Sequence, residues 1–344
     1  CIRDSARTYA DFRQRVTQFQ RLFGIDPKIV AVDRHQGYLS SRWGRALVAE
    51  TGSQLIEVQH HHAHLASCLA ENRIPCEQDL TVGIILDGTG SGLDGTIWGG
   101  EILLGGYRDF ERKAHFPAVA LPGGEQAVRE PWRNTIAHLL AAFGSDWRAQ
   151  VRGTSLSDRL RDKPTGDIEQ MIGNGVNSPL ATSAGRLFDA VSGALGLCDR
   201  QSYEGQAAME LECIAESHVM RAAPYPVGID EVDGTLVPIW TELWSALLDD
   251  LRRGRDAGRI SARFHQTLIT VHTDMAVRVA EQAGTLRIAL SGGVMQNRII
   301  RDALYQELRA RGYCVVTQSK VPSNDGGLSL GQAVIAASAC QNAS

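Results

Sequence analysis

Several features that mark membrane, secreted and nucleic-acid-binding proteins are scarce in this sequence. The purely apolar runs are short, such as Ile84–Leu86, whereas a membrane span needs roughly 20 apolar residues. The 35 lysines and arginines and 39 aspartates and glutamates give a net charge of −4, without a basic excess. The first residues, Cys1–Asp4, lack the basic and apolar segments of a signal peptide. We therefore predict a protein that binds neither nucleic acid nor membranes.

Cysteine is also sparse and lacks any metal-binding spacing. The chain has seven cysteines, an odd number at wide spacings, and no CxxC motif. This pattern argues against a disulfide framework and against a zinc finger. It is typical of a reducing compartment, and we predict the cytoplasm. Because the chain begins at Cys1 rather than at methionine, we expect a fragment or a processed piece.

The composition and apolar periodicity are those of a globular α/β protein. Hydrophobic residues make up 43% and charged residues 22% of the 344 residues. The periodicity predicts helices over 8–23, 41–52, 60–73, 294–311 and 326–340, with a mostly helical stretch over 125–285. Short apolar runs predict strands over 28–33, 55–58, 81–87, 97–104, 108–117, 286–291 and 313–317. We expect two lobes that meet near residue 80.

A glycine-rich segment, Gly90–Gly95, matches the G-x-G-x-x-G pattern after a predicted strand. A dinucleotide site would need a helix next, but the β-rich residues 96–104 follow. Strand, aspartate, glycine turn and strand are typical of the phosphate loop of actin-like ATPases, with Gly88 and Gly90 beside phosphate. The alternative is an ordinary hairpin whose glycines supply positive φ angles.

Two histidines and two aspartates are candidates for a metal site. His60 and His64 are spaced i, i+4, so a helix presents both imidazoles on one face. Asp87 ends a predicted buried strand, and Asp325 precedes the last predicted helix. Two imidazoles and two carboxylates suit zinc, iron or manganese better than calcium or magnesium. The alternatives are a polar helix start and two aspartates that cap helices or turns.

Two further segments are candidates for anion binding. The loop Ser291–Gly293 joins a strand to a predicted helix, whose N-terminus would offer free N–H groups, and Asn297 follows one turn later. Asn297 is a candidate for contact with a base or a ribose, and no P-loop motif occurs. Arg129 and Arg133 flank Pro131 and would suit a phosphate-like anion. The alternative for this pair is a solvated helix start.

In chain order, these motifs closely resemble one family. The resemblance rests on QHHHAHLAS, LDGTGSGLDGTIWGGE, LPGGEQAVREPWR, AGRLFDAVSGALGL, SYEGQAAMELE, LSGGVMQNR and VPSNDGGLSLGQA. They are similar to the C-terminal carbamoyltransferase domain of HypF, a maturation factor of nickel–iron hydrogenases. The resemblance implies an actin-like ATPase (ASKHA) fold of two RNase H-like lobes with nucleotide and metal between them. It implies a first lobe over 1–80, a second lobe with helical insertions over 81–322, and a helix returning to the first lobe over 323–344.

The resemblance also implies residue roles and a reaction. It assigns the metal, zinc or iron with magnesium as an alternative, to His60, His64, Asp87 and Asp325. It assigns the nucleotide, as ATP, AMP or carbamoyl adenylate, to Ser291, Gly292, Gly293, Asn297, Asp189, Glu204 and Gly205. A YrdC-like domain makes carbamoyl adenylate from carbamoyl phosphate and ATP, and the present domain passes the carbamoyl group to the C-terminal cysteine of HypE.

For the transfer step we expect the metal to act as a Lewis acid. Arg129 or Arg133 would stabilise developing charge, and His61 and His62 are candidates for the general base. The YrdC-like, zinc-finger and acylphosphatase domains of the family are not found in this sequence, nor is the opening hairpin of the first lobe. We therefore expect no independent adenylate synthesis. The alternatives are an O-carbamoyltransferase or small-molecule kinase of the same fold, or a truncated nucleotide-binding domain without turnover.

Overall fold

A computed structural model describes residues 6–78 and 80–341. Its strands are β1 Ile29–Asp33, β2 Gln54–Val58, β3 Thr81–Ser91, β4 Ile97–Gly105, β5 Phe110–His115, β6 Val119–Ala120, β7 Leu180–Ala181, β8 Gly228–Val232, β9 Thr235–Ile239, β10 Arg287–Ser291 and β11 Cys314–Thr317. They form two sheets, one of two strands and one of nine.

Fourteen α-helices surround these sheets in the described residues. They are α1 Ala6–Phe23, α2 Leu39–Thr51, α3 His60–Glu71, α4 Glu125–Arg129, α5 Pro131–Phe143, α6 Trp147–Gln150, α7 Ser155–Leu160, α8 Thr165–Gly173, α9 Ala184–Leu195, α10 Gln206–Ala215, α11 Thr241–Arg252, α12 Ala257–Ala283, α13 Arg298–Ala310 and α14 Leu328–Gln341. Short 3-10 segments, including Gly293–Gln296 and Asp325–Gly327, complete the described elements.

The larger sheet is mixed, and seven of its strands follow the order β11-β10-β3-β4-β5-β9-β8. The other two, β6 and β7, pair with each other, and β7 also pairs with β4. Strands β3, β4 and β5 form an antiparallel meander, and β10 and β11 continue it in parallel from the β3 edge. The smaller sheet pairs β1 with β2 in parallel. Helix α2 joins β1 to β2, and α13 joins β10 to β11, because a connection between adjacent parallel strands needs a crossover.

Two hydrophobic cores lie on opposite faces of the larger sheet, because alternate residues of β3 face opposite sides. Val82, Ile84 and Leu86 belong to the core that includes Phe264 of α12. Ile85 belongs to the other core, which includes α3 residues. Helix α3 therefore lies against the larger sheet, and it also packs against α14.

Most predicted elements are confirmed to within a few residues, and three differ. Strand β3 continues through the predicted glycine turn to Ser91, so the turn itself is shorter. The stretch 125–285 contains a hairpin, β8–β9, that the helical interpretation missed. The predicted helix over 294–311 is divided at Asn297 into a 3-10 segment and α13.

None of the helices within 6–78 and 80–341 combines the length and the apolarity that crossing a bilayer requires. The six cysteines in the described residues are free thiols, as the spacing predicts. Cys1 lies outside the described residues.

Candidate metal centre

Helix α3 presents its histidines from the first turn. Gln59 caps the helix, and its side-chain oxygen accepts a hydrogen bond from the backbone N–H of His62 at 2.8 Å. The helix is buried from His60 to Leu69 because it lies between the larger sheet and α14. His60 and His64 lie one turn apart, and their ring centroids are 5.1 Å apart.

The structure brings the four predicted metal ligands together. The Oδ2 atom of Asp87 lies 3.3 Å from Nε2 of His60 and 3.1 Å from Nε2 of His64. The Oδ1 atom of Asp325 lies 3.6 Å and 3.8 Å from the same two nitrogens. The four ligand atoms all lie within 4.8 Å of one another. The two histidines are fully buried, whereas the Asp325 side chain is 36% exposed.

A third carboxylate, which sequence reasoning missed, supports His60. Asp33 ends β1, and its Oδ2 atom lies 2.7 Å from Nδ1 of His60. Its Oδ1 atom accepts a hydrogen bond from the backbone N–H of His35 at 2.8 Å, which fixes the carboxylate. Because Asp33 is a strong acceptor, Nδ1 of His60 donates to it, and Nε2 of the same ring faces the cluster. The available signal was an acid at the end of a predicted strand, as at Asp87.

The histidines and carboxylates of the cluster shift each other's pKa values. Burial lowers the pKa of His60, but hydrogen bonds to Asp325, Asp33 and Asp87 outweigh this and raise the pKa well above its ordinary value. Burial raises the pKa of Asp87, but hydrogen bonds to His60 and His64 hold it well below its usual range. Positive charge is therefore strongly favoured among these carboxylates.

The donor set fits a transition metal. Two imidazole nitrogens and two carboxylate oxygens converge on one point, as in tetrahedral zinc and in non-haem iron or manganese sites. Hydrogen bonding of Nδ1 to a carboxylate, seen at His60, is the usual arrangement behind a metal-ligating imidazole. His64 differs, because its Nδ1 has no hydrogen-bond partner among the described residues.

The two remaining histidines of the segment serve other contacts. The side-chain nitrogen of Gln59 lies 3.1 Å from Nδ1 of His61 and must donate to it, because the Gln59 oxygen already accepts from His62. His61 is therefore neutral with its proton on Nε2, which acts as a donor rather than as a base. Nε2 of His62 donates to the carbonyl of Gly106 at 2.7 Å. The structure thus does not support either Nε2 atom as the predicted general base.

The glycines of the first loop have different roles. A Cβ at Gly90 would lie 2.4 Å from the His61 ring and 2.7 Å from the His60 ring, so glycine is required for histidine packing. A Cβ at Gly88 would meet only Arg186, at 3.9 Å. Of the two predicted phosphate contacts, Gly88 has room for a ligand and Gly90 lies against the histidines.

The second loop is more constrained than predicted. The N–H of Gly292 donates to Ser323 at 3.0 Å, and the N–H of Gly293 donates to Asp87 at 3.3 Å, so neither amide is free. The Ser291 hydroxyl donates to Gln318. Asn297 lies at the N-cap of α13 rather than inside the helix.

The Asn297 side chain is already engaged. Its oxygen accepts from the N–H of Ile300 at 3.0 Å, which satisfies one N–H group at the start of α13. Its nitrogen lies 3.0 Å from Nε2 of His265. Contact between this side chain and a base or ribose stays a prediction, and it would require exchange of these partners.

The predicted adenosine side centres on a buried carboxylate. Asp189 in α9 is 1% exposed and lies 3.0 Å from Arg186, and Gln201 donates to it at 2.8 Å. Burial raises the pKa of Asp189 to about 6, although Arg186 and Gln201 lower it. Glu204 is exposed, and Gly205 has a φ of 79° at the start of α10. Nucleotide contact by these residues stays a prediction.

The predicted anion-binding arginines form ion pairs near the start of α5. Arg129 lies 2.6 Å from Glu125, and Arg133 lies 2.5 Å from Glu130. Pro131 is the first residue of α5, as expected for a helix start. The exposed Arg129 pair matches the alternative interpretation of a solvated helix start, whereas the Arg133 pair is mostly buried, and a role of either arginine in charge stabilisation stays a prediction.

Comparison with known proteins places this site in a family. Residues 83–332 match the family described as "Carbamoyltransferase, Kae1-like Domain, second subdomain". Residues 3–71 match "HypF Kae1-like domain". The two matches contain all four clustered side chains, and the interval between them, residues 72–82, runs from the end of α3 into β3.

Individual relatives agree with this match. The carbamoyltransferase HypF of Rhodobacter capsulatus is 41% identical over 336 residues, which cover 97% of this chain and 42% of that protein. A carbamoyltransferase HypF homolog of Cupriavidus necator is 34% identical over 319 residues, covering 90% of this chain and 77% of that protein. A crystal structure of full-length HypF in the phosphate- and nucleotide-bound form superposes with a TM-score of 0.90 at 34% identity, covering 98% of this chain and 42% of that one.

The chain therefore belongs to the HypF Kae1-like carbamoyltransferase family and has its actin-like α/β fold. It spans about 42% of the length of the full-length HypF of Rhodobacter capsulatus.

Proposed function

We propose that this chain transfers a carbamoyl group from carbamoyl adenylate to a cysteine thiol at the C-terminus of a HypE-like acceptor. The observation that carries the proposal is the convergence of His60, His64, Asp87 and Asp325 within 4.8 Å, in a member of a carbamoyltransferase family. The cluster would hold zinc or iron. A metal bound there supplies Lewis-acid polarisation of a carbonyl or phosphate oxygen.

The chain's own residues prepare the site for this chemistry. Asp33 holds the His60 ring so that Nε2 faces the cluster. His61 offers a neutral Nε2–H donor, which has no partner among the described residues, to an oxygen that gains negative charge. Gly88 leaves space for the ligand to approach the backbone beside Asp87.

The nucleophile belongs to the acceptor rather than to this chain. Burial raises the pKa of Cys68 to about 12, so this thiol is not an internal nucleophile. In the transfer, the acceptor sulfur forms a bond to the carbamoyl carbon, and the bond from that carbon to the AMP oxygen breaks. The thiol proton leaves to solvent, since neither His61 nor His62 offers a free Nε2 lone pair.

A nucleotide donor is supported by the related crystal structure of full-length HypF in a phosphate- and nucleotide-bound form. We place the phosphate beside Gly88 and the Ser291–Gly293 loop, and the adenosine toward Asp189, Glu204 and Gly205. Synthesis of the adenylate from carbamoyl phosphate and ATP is assigned to parts of the longer relatives outside the matched region.

The test is transfer from supplied carbamoyl adenylate to an acceptor protein ending in cysteine, read by mass spectrometry of its C-terminal peptide. We expect a carbamoyl adduct with this chain and none with the His60→Ala, His64→Ala double variant or with an acceptor ending in serine. Carbamoyl phosphate with ATP should yield no adduct. Equal adduct formation by the double variant would contradict the assigned site.

A further inference from the structure

Glu71, the last residue of α3, binds the loop that leads to Asp325. Its carboxylate accepts hydrogen bonds from the backbone N–H groups of Ser319, Lys320 and Val321 at 2.6, 2.8 and 2.9 Å. The hydroxyl of Ser319 donates a further bond at 2.9 Å. One anionic side chain thus collects four donors from three successive residues, and charge-assisted bonds of this kind are stronger than neutral ones.

This contact joins two parts of the candidate metal centre. Helix α3 carries His60 and His64 in its first turns and Glu71 at its end. The loop after β11 runs from residue 318 to Asp325. Ser67 of α3 and Asn72, the residue that follows α3, donate further bonds to the carbonyls of Gly327 and Thr317, both at 2.9 Å. Glu71 is the charged member of this set of contacts.

Asp325 is the ligand that most needs such support. His60 and His64 lie in a buried helix and Asp87 in a buried strand, whereas Asp325 begins a 3-10 segment of three residues. Its carboxylate is the most exposed of the four and lies farther from the two imidazoles than Asp87 does. Its position therefore depends on how the loop is held.

We propose that Glu71 is a positioning residue that strengthens metal binding by fixing the loop that carries Asp325. The inference rests on the proposed metal centre. Glu71→Gln keeps the size of the side chain but removes its charge, and it places an NH₂ group against backbone donors. The loop would then sample positions in which Asp325 is displaced from the histidines.

The experiment measures Zn²⁺ affinity of the whole chain by competition with a chelator. Supporting residues behind metal ligands typically contribute about 10- to 100-fold to affinity, so we expect Glu71→Gln to weaken binding roughly 10-fold. Glu50→Gln, an exposed glutamate in α2, is the matched control and should leave affinity unchanged. Ser319→Ala removes only one of the four bonds and should weaken Zn²⁺ binding by a smaller factor.

A double-variant cycle separates positioning from general stabilisation. If Glu71 acts through Asp325, Glu71→Gln should change Zn²⁺ affinity little in an Asp325→Asn background. The same roughly 10-fold loss in that background would overturn the proposal, as would unchanged affinity of the Glu71→Gln single variant. A wild-type chain that binds no Zn²⁺ would overturn the metal centre itself, and the positioning role with it.

Discussion

Around each of the two sheets, helices and strands follow each other in the same order, but the surroundings of the two sheets differ. Helices and strands α1-β1-α2-β2-α3 and α12-β10-α13-β11-α14 follow the same order, with parallel strands in each. In the second unit β10 also pairs with β3 of the meander. In the first, the described residues pair β1 with β2 alone.

The two units differ in how deeply their first helices, α1 and α12, are buried. Phe264 and Leu268 of α12 are fully buried against the larger sheet. In α1, Phe19, Leu22 and Phe23 are 52%, 68% and 66% exposed. A repeated order of elements therefore does not give equal stability, because hydrophobic stabilisation follows the apolar area removed from water. In the larger sheet, the strands of the meander provide apolar surface against which α12 is buried.

The candidate metal centre draws on both units. The larger sheet contributes Asp87 as a proposed ligand, whereas the smaller sheet contributes Asp33 behind His60. Helix α3, which ends the first unit, and the start of α14, which ends the second, carry or adjoin the remaining ligands. We thus expect substitutions of the clustered side chains and of the larger sheet's core to have large effects, and substitutions in the smaller sheet to have smaller ones.

The largest effect is expected from the histidines that connect the two units. His60→Ala and His64→Ala should each release most of the bound metal, because each removes one of four converging donors. His61→Ala should retain the metal, since its ring does not supply a cluster ligand. Metal content by plasma emission spectroscopy is the measurement, and equal retention in all three variants would refute the assignment.

The next largest effect is expected in α12, and the same kind of substitution in α1 provides the comparison. Phe264→Ala should lower the free energy of unfolding by about 3–5 kcal/mol, because it leaves a cavity beside Phe188. Phe23→Ala at the exposed end of α1 should change it by less than about 0.5 kcal/mol. Urea unfolding followed by circular dichroism measures both, and comparable losses would show that the two units are equally well packed.

In α9, which packs against β3 of the larger sheet, Asp189 predicts a pH dependence of stability. Its folded pKa of about 6 exceeds the ordinary 3.8, so the folded state holds this proton more tightly than the unfolded state. The resulting stabilisation is full below about pH 4 and is lost as pH rises through 6. Relative to Asp189→Asn, wild-type stability should fall by up to about 3 kcal/mol between these limits. The exposed Asp199→Asn control should follow wild type, and a pH-independent difference for Asp189→Asn would contradict the shift.

The smallest effect is expected from the smaller sheet's contribution to the metal centre. Asp33→Asn keeps a hydrogen-bond acceptor for Nδ1 of His60 but removes the charge, so Zn²⁺ affinity should fall about 10-fold. Calorimetric titration of Zn²⁺ measures this. An effect as large as that of His60→Ala would mean that Asp33 is itself a ligand and that the two sheets contribute alike.

The clustering of His60, His64, Asp87 and Asp325 could be predicted from the sequence because each residue has a local signal. The i, i+4 spacing placed His60 and His64 on one face, and Asp87 and Asp325 lay at element ends. Asp33 was not predictable as their partner, because its contact depends on how β1 lies against α3. Asn297 and Gly292 likewise donate hydrogen bonds to His265 and Ser323, which are distant in the chain.

The central claim is that His60, His64, Asp87 and Asp325 together bind one metal ion. X-ray absorption spectroscopy of the Zn²⁺-loaded chain tests it most directly, because it reports the atoms bound to the metal. We predict a nitrogen and oxygen shell at about 2.0–2.2 Å with scattering from two imidazoles. In His64→Ala, one imidazole contribution should disappear. Sulfur ligands at about 2.3 Å, or a spectrum unchanged in His64→Ala, would contradict the account.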